Sequence, residues 1–258
     1  MEGKYHMTDI MTDFVNKGCQ KSNFIVGPCS IESYEQIRTA AASAKVLGYK
    51  YFRGGAYKPR TSSSSFQGLG LTGIKYLHDV CQEFQLTSVS EIMSEKQLDE
   101  AYDYLDLIQV GARNMQNFEL LKTLASVEKP ILFKRGLMST IEEYLGALSY
   151  LQEKGKCNII LCERGIRGYD VETRNMLDIM AVPIIQQKVD LPIIVDVSHS
   201  TGRRDLLLPA AKVAKAVGAN GIMMEVHPTP DLALSDATQQ IDYQQLAVLG
   251  QELWRHED

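Results

Sequence analysis

Cys29, His199, Glu225 and Asp236 together offer one sulfur, one imidazole nitrogen and two carboxylate oxygens. Such a mixed donor set suits a divalent first-row ion such as Mn, Fe, Co or Zn, with availability deciding among them. A second group is cationic: Arg53, Lys58, Arg60, Arg113, Lys134, Arg135 and Arg164. Arginine presents a planar fork to phosphate or carboxylate and lysine a compact charge, so this group suits a polyanionic, phosphorylated substrate. Taken singly, each residue has an ordinary structural reading. A buried Cys29 is more often a small filler than a ligand. Arg113 can cap a helix after Gly111-Ala112, His199 and His227 can be satisfied rim histidines, and Lys58–Ser62 can be a solvated loop. Lys134 and Arg135 cannot both face inward on one strand, so at least one is structural.

Their weight comes from the elements that must position them. Short β-branched runs alternate with longer amphipathic stretches, and eight strands are expected: Phe24–Cys29, Lys50–Gly54, Leu86–Glu91, Leu107–Gly111, Pro130–Lys134, Asn158–Glu163, Pro192–Asp196 and Gly221–Val226. Helical periodicity fills the gaps at Tyr34–Leu47, Gly73–Phe84, Glu95–Tyr104, Asn117–Ser126, Thr140–Glu153, Val182–Val189 and Arg204–Val217, with a last helix over Asp242–Trp254. Pro183 sits where it can open its helix. Nearly continuous apolar strands such as Ile193–Val195 suit a parallel sheet buried on both faces, and eight β-then-α units suit closure. The expected fold is a single α/β (β/α)8 TIM barrel over residues 24–258, preceded by an extension at 1–23 that forms a short hairpin or stays mobile. The doubly wound alternative would show a glycine-rich phosphate turn after its first strand, and Gly27-Pro28-Cys29-Ser30 is not one.

Every expected strand ends in a polar signal: Cys29; Arg53 with Lys58 and Arg60; Glu91; Arg113 with Asn114; Lys134 with Arg135; Glu163 with Arg164; Asp196 with His199; and Glu225 with His227. In a barrel those ends form the rim that carries function, and scattered surface charge would not select it. Closure makes the last strand a neighbour of the first, which brings Cys29, His199, Glu225 and Asp236 to one side of that rim.

Composition narrows the rest. At 258 residues, 45% of them hydrophobic, the chain can bury a large core as one domain. A net charge of −5 without any Lys/Arg run argues against nucleic-acid or anionic-membrane partners, so any cationic site is local. No apolar stretch is long enough to span a bilayer and no secretory segment opens the chain, which implies a cytoplasmic protein. The five cysteines are irregularly spaced, lack a Cys-x-x-Cys pair and are expected to be reduced.

Several longer segments carry a resemblance. They are Gly27-Pro28-Cys29-Ser30, Phe52 to Ser62 (FRGGAYKPRTS), Ser65 to Gly70 (SFQGLG), Gln109 to Gln116 (QVGARNMQ), Phe133-Lys134-Arg135-Gly136, Cys162 to Arg167 (CERGIR) and Glu225-Val226-His227-Pro228. In this order, from about residue 24 to 240, they resemble type I 3-deoxy-D-arabino-heptulosonate 7-phosphate (DAHP) synthases of the β subgroup. The resemblance implies a metal-dependent condensation of phosphoenolpyruvate with D-erythrose 4-phosphate and water at the head of the shikimate pathway. It places phosphoenolpyruvate on Arg53, Lys58, Arg113, Lys134 and Arg164, and erythrose 4-phosphate on Arg60 and Thr61. It puts one divalent ion, with Mn favoured, on Cys29, His199, Glu225 and Asp236. Lys58, Cys29 and His199 are expected at the catalytic centre and Glu91 in a supporting role. A homo-oligomer, commonly a tetramer among such enzymes, is the expected assembly.

Three positions depart from the family pattern: Ser63 and Val197 replace prolines, and Ala237 replaces a glycine beside Asp236. The glycine matters for backbone freedom. The nearest rival is 3-deoxy-D-manno-octulosonate 8-phosphate (KDO8P) synthase acting on arabinose 5-phosphate, but its loop resembles Lys-Ala-Asn-Arg-Ser where this chain reads Lys58-Pro59-Arg60-Thr61-Ser62. A rival of another class is an idle barrel that only binds phosphometabolites, which typically lacks a ligand or substrate cation. The few residues outside the eight units leave no room for an effector domain, so insensitivity to aromatic amino acids, chorismate and prephenate is expected.

Overall fold

The computed structural model describes residues 7–16, 18–59 and 64–254. Eight strands form a closed, wholly parallel barrel in chain order: β1 Phe24–Gly27, β2 Tyr51–Arg53, β3 Thr87–Glu91, β4 Leu107–Val110, β5 Ile131–Lys134, β6 Ile159–Glu163, β7 Ile193–Asp196 and β8 Gly221–Glu225. Closure pairs Phe24 with Ile222 and Gly27 with Glu225, so the first and last strands end together at one rim. Each strand is one or two residues shorter than its expected run, trimmed at one end or both where the ladder hydrogen bonding stops.

Strand alternation divides the side chains cleanly. Phe24, Val26, Phe52, Ile108, Phe133, Leu161, Val195 and Met224 face outward into the layer shared with the helices. Ile25, Tyr51, Val89, Leu107, Leu132, Ile160, Ile194 and Met223 fill the barrel interior. This double burial is why the strands read as unbroken apolar runs.

The helices are α1 Met7–Asn16, α2 Tyr34–Val46, α3 Leu71–Phe84, α4 Glu95–Ala101, α5 Phe118–Leu124, α6 Ile141–Gln152, α7 Ala181–Gln186, α8 Val197–Thr201, α9 Leu207–Ala216 and α10 Tyr243–Trp254. Local signals set their starts. Ser33 and Ser94 accept from the backbone N–H three residues on, and Thr140 with Glu143 forms a reciprocal capping box that opens α6. Pro183 falls at the third position of α7 rather than the first, still within the turn whose N–H groups have no intrahelical acceptor.

Within the expected extension at 1–23, Met7–Asn16 is helical rather than part of a hairpin, and residues 1–6 and 17 lie outside the described residues. Ile10 and Phe14, four residues apart on one face, enter the interior cluster, and Phe14 packs on Tyr51 with ring centroids 4.9 Å apart. Asp13 accepts from the Tyr51 hydroxyl at 2.9 Å. The helix thus plugs the end of the barrel opposite the rim. Among the described residues no helix is long and apolar enough to cross a membrane, and no disulfide forms.

Candidate active site

The rim follows from the same alternation. Two residues beyond the interior-facing Tyr51, Val89, Leu107, Leu132, Ile194 and Met223 come Arg53, Glu91, Gln109, Lys134, Asp196 and Glu225, each pointing to the same axis. On β1 the equivalent position is Gly27, with φ +143°, where an added Cβ would lie 2.1 Å from the Arg53 carbonyl oxygen. Sulfur is delivered from the next turn instead, by Cys29.

Cys29, His199, Glu225 and Asp236 do converge: one donor atom from each lies within 4.8 Å of the other three. Cys29 Sγ is 3.3 Å from Asp236 Oδ2, and His199 Nε2 is 3.4 Å from Glu225 Oε1 and 3.7 Å from Asp236 Oδ2. Donors held at roughly 2.0–2.3 Å from a shared ion stand about 3.3–3.8 Å apart along tetrahedral edges, so the set fits one divalent ion. Asp236 has φ +52°, a left-handed conformation that aspartate tolerates, whereas Ala237 needs no positive φ. Alanine at 237 therefore leaves Asp236 free to turn inward.

Asp196 orients the histidine. It caps the short helix α8, accepting from the His199 backbone N–H at 3.0 Å, and its other oxygen lies 2.7 Å from His199 Nδ1. That contact assigns the ring proton to Nδ1 and leaves Nε2 as a donor atom for an ion. Burial brings His199 down to about 4, although Asp196 and Glu225 favour its charged form. Burial also pushes the Cys29 thiol up to about 12, helped by Glu225 and opposed by Lys58. Lys58 Nζ lies 3.0 Å from that sulfur and donates to the Cys29 carbonyl at 2.9 Å. Burial opposes ionisation of Glu225 and Asp236, yet His199 beside them, with Arg53 and Arg174 respectively, holds both carboxyls below their ordinary range.

The expected cations also gather. Arg53, Lys58, Arg113, Lys134 and Arg164 line one cavity, together with Glu91, His199 and Asp236. Two of them are tied to carboxylates, Arg53 to Glu225 at 2.7 Å and Lys134 to Asp196 at 2.5 Å. Arg164 is only 3% exposed and bonds the Gly165 carbonyl at 3.2 Å, with no ion pair among the described residues. A buried guanidinium without an anion is costly unless a ligand completes it. Glu91 Oε1 is buried without a hydrogen-bond partner in the same cavity.

Arg135 turns outward, as alternation demands of the residue after Lys134. It joins Glu163 and Asp178, both at 2.8 Å, and the Ser139 carbonyl, stapling three rim segments. His227 is not in the cavity either: its Nδ1 accepts from the Thr229 N–H at 3.0 Å, and Nε2 lies 3.5 Å from Glu32. Arg60 and Thr61 lie outside the described residues. Sequence reasoning missed Gln109, Arg167, Arg174 and Asn175, which also line the cavity, and the orienting role of Asp196. Asp196 had a signal, an aspartate ending a strand three residues before a histidine.

The geometry has close counterparts. The model of the DAHP synthetase I family matches residues 8–258. A Thermotoga maritima protein named phospho-2-dehydro-3-deoxyheptonate aldolase is 48% identical over 252 residues, covering 97% of this chain and 75% of that protein. A Desulfotalea psychrophila 2-dehydro-3-deoxyphosphooctonate aldolase is 32% identical over 244 residues, covering 87% and 86%. The crystal structure of the Thermotoga maritima DAHP synthase superposes with a TM-score of 0.88 at 50% identity, over 90% of this chain and 68% of that one. A truncated form of the 3-deoxy-D-arabino-heptulosonate 7-phosphate synthase from the same organism gives 0.83 at 46% identity, over 90% and 85%. With a family match over nearly its whole length and a half-identical barrel beneath it, this chain belongs to the DAHP synthetase I family.

Proposed function

We propose that this chain condenses phosphoenolpyruvate with D-erythrose 4-phosphate and water, giving 3-deoxy-D-arabino-heptulosonate 7-phosphate and inorganic phosphate, with one divalent ion held by Cys29, His199, Glu225 and Asp236. The observation that carries this reading is a shared cavity: ion donors His199 and Asp236 and the cations Arg53, Lys58, Arg113, Lys134 and Arg164 face the same space. When bound, the ion supplies Lewis acidity toward the aldehyde oxygen.

The residues of the chain do the rest. C3 of phosphoenolpyruvate attacks the aldehyde carbon, water adds at C2, and the C2–O bond to phosphate then breaks. Two anionic reactants repel one another, so Arg113, Lys134 and Arg164 offset the charge of phosphoenolpyruvate and hold it in register for attack. Arg53 completes that ring from β2. Lys58, with its amine beside the Cys29 sulfur, donates hydrogen bonds to the oxygen on which negative charge develops. Arg60 and Thr61 are assigned to the sugar phosphate. Asp196 keeps the His199 ring fixed, and Glu91 supports the cavity floor. Manganese is the favoured ion and a cytoplasmic homo-oligomer, a tetramer by family resemblance, the favoured assembly; metal analysis of the purified protein and light scattering test these two points.

Phosphate release from phosphoenolpyruvate, measured with each aldose before and after chelation, tests the function. Release is expected with erythrose 4-phosphate, to be abolished by chelation and restored by Mn. A preference for arabinose 5-phosphate would favour the KDO8P synthase reading, and no release with either sugar would leave an idle barrel.

A further inference from the structure

Gln239 lies in the turn between β8 and α10, is 1% exposed and belongs to no strand or helix. Its amide nitrogen donates to Glu225 Oε2 at 2.5 Å and to Asp236 Oδ2 at 3.4 Å. Its amide oxygen accepts from Arg174 Nη1 at 2.7 Å, and that same nitrogen pairs with Asp236 Oδ2 at 3.0 Å. The amide cannot be turned round: its oxygen would then face two carboxylates, and its NH2 a guanidinium. Arg174 is itself fixed. Its backbone N–H donates to the Thr201 carbonyl at 2.9 Å, and its Cβ packs on Gly202, where an added Cβ would sit 2.4 Å away. Gly202 has φ +67° and ends α8, the helix that carries His199.

The geometry points to Gln239 as a positioning residue that sets how tightly, and in what coordination, the divalent ion is held. This rests on the reading that Cys29, His199, Glu225 and Asp236 bind that ion. Glu225 and Asp236 are like charges at close quarters, and a neutral double donor between them offsets the repulsion without adding a competing charge. Gln239 ties down Glu225 Oε2, while Oε1 accepts from Arg53 Nη1 at 2.7 Å and is the oxygen that faces His199 Nε2, 3.4 Å away. Glu225 is thereby restrained to one-oxygen ligation. Without the tether Oε2 is released while Arg53 still holds Oε1, so the carboxylate can offer its second oxygen, which loosens the compact set and favours a higher coordination number.

The test is Co2+ titration of the metal-free full chain, read by the visible d–d absorption and by competition with a chelator of known affinity. Gln239→Met keeps the length and removes both the donor and the acceptor; Gln239→Asn keeps the amide but falls one methylene short of spanning Arg174 and Glu225. In Gln239→Met, Kd for Co2+ is expected to rise about 10- to 100-fold. Its d–d absorption should weaken toward the six-coordinate range, with Gln239→Asn intermediate. Should Gln239→Met fail to fold, Gln239→Asn decides alone. A Kd within twofold of the parent with an unchanged spectrum in a folded variant overturns the role, even if that variant melts earlier. Lack of a saturable Co2+ signal in the parent overturns the ion site itself, and this role with it.

Discussion

Lys134 and Arg135 are adjacent cations at the end of one strand, yet they should fail differently when removed. Arg135 is 2% exposed and donates to Glu163, Asp178 and twice to the Ser139 carbonyl. Burial raises the Glu163 carboxyl above its ordinary range, and Arg135 is the main group pulling it back. Arg135→Met preserves the side-chain length but leaves Glu163 with the Gly165 N–H alone, at 2.6 Å. Breaking a buried pair on one side costs about 3–5 kcal/mol. At about 2–4 °C per kcal/mol for a domain near this size, Tm should fall by on the order of 10 °C. Adding Glu163→Gln removes the stranded charge, so the double variant should recover about 1–3 kcal/mol relative to additivity. Lys134→Met leaves Asp196 bonded to the His199 backbone N–H at 3.0 Å and to its Nδ1 at 2.7 Å, so its Tm should fall by less than half as much. Its kcat/KM for phosphoenolpyruvate should fall about 10- to 100-fold, the scale of a lost charged hydrogen bond. Differential scanning calorimetry and initial rates, run on the same preparations, separate the two. An Arg135→Met protein that keeps its Tm within 3 °C by calorimetry, or that loses phosphoenolpyruvate binding while staying stable, would refute the division of labour read from strand alternation.

Three further outcomes are expected. At pH 7 the Cys29 thiol, pushed up to about 12, is protonated while His199, brought down to about 4, is neutral, so ion binding should release one proton; calorimetry in buffers of different ionisation enthalpy reads that number, and zero or two would contradict it. Arg164→Met should raise KM for phosphoenolpyruvate by about 10- to 100-fold without lowering Tm, because it removes a buried cation that the fold does not pair; a large loss of Tm would make Arg164 structural. Burial brings Lys156 down to about 8, so the unfolded chain binds more protons between there and the ordinary lysine value of 10.5, and stability from this group rises with pH across that window and is lost as pH falls from 10.5 toward 8. Relative to Lys156→Met, urea unfolding should show the parent gaining about 1 kcal/mol from pH 7.5 to 9.5 once solvent screening is allowed for, and a flat difference would refute the lowered value.

How far the site could be read in the chain depended on periodicity. A period of two fixes which residues face the axis, so once Ile25, Tyr51, Leu132 and Met223 are interior, Arg53, Lys134 and Glu225 must reach the rim and Arg135 must not. His199 and Asp236 were legible through motif position, since neither lies on a strand. Residues contributed by irregular segments were not. Arg174 and Asn175 come from the stretch between β6 and α7, and Gln239 from a turn, where no repeat ties a position to a direction. Helix α1 had the right signal in Ile10 and Phe14, but an isolated ten-residue segment is marginal as a helix by itself. Only the open end of the barrel, which needs a plug, makes it form.

The cavity also shows how an acidic chain sustains a cationic site. Arg53, Lys134 and Arg174 each meet a carboxylate, Glu225, Asp196 and Asp236 in turn, and each of those carboxylates either belongs to the ion-binding set or orients a member of it. The same three cations line the cavity. On the proposed reading they serve two roles, holding the ligand carboxylates in place and presenting positive charge to a phosphorylated substrate. Among the described residues Arg164, like the more exposed Arg113, has no such partner, and being buried it is the one that most needs a bound anion. Of these groups, then, the paired ones can be changed only by disturbing ligand geometry as well as substrate binding, whereas Arg164 reports on the substrate by itself. Kinetic losses at Arg53 or Lys134 would be mixtures, whereas the loss at Arg164 can be read as the strength of one contact.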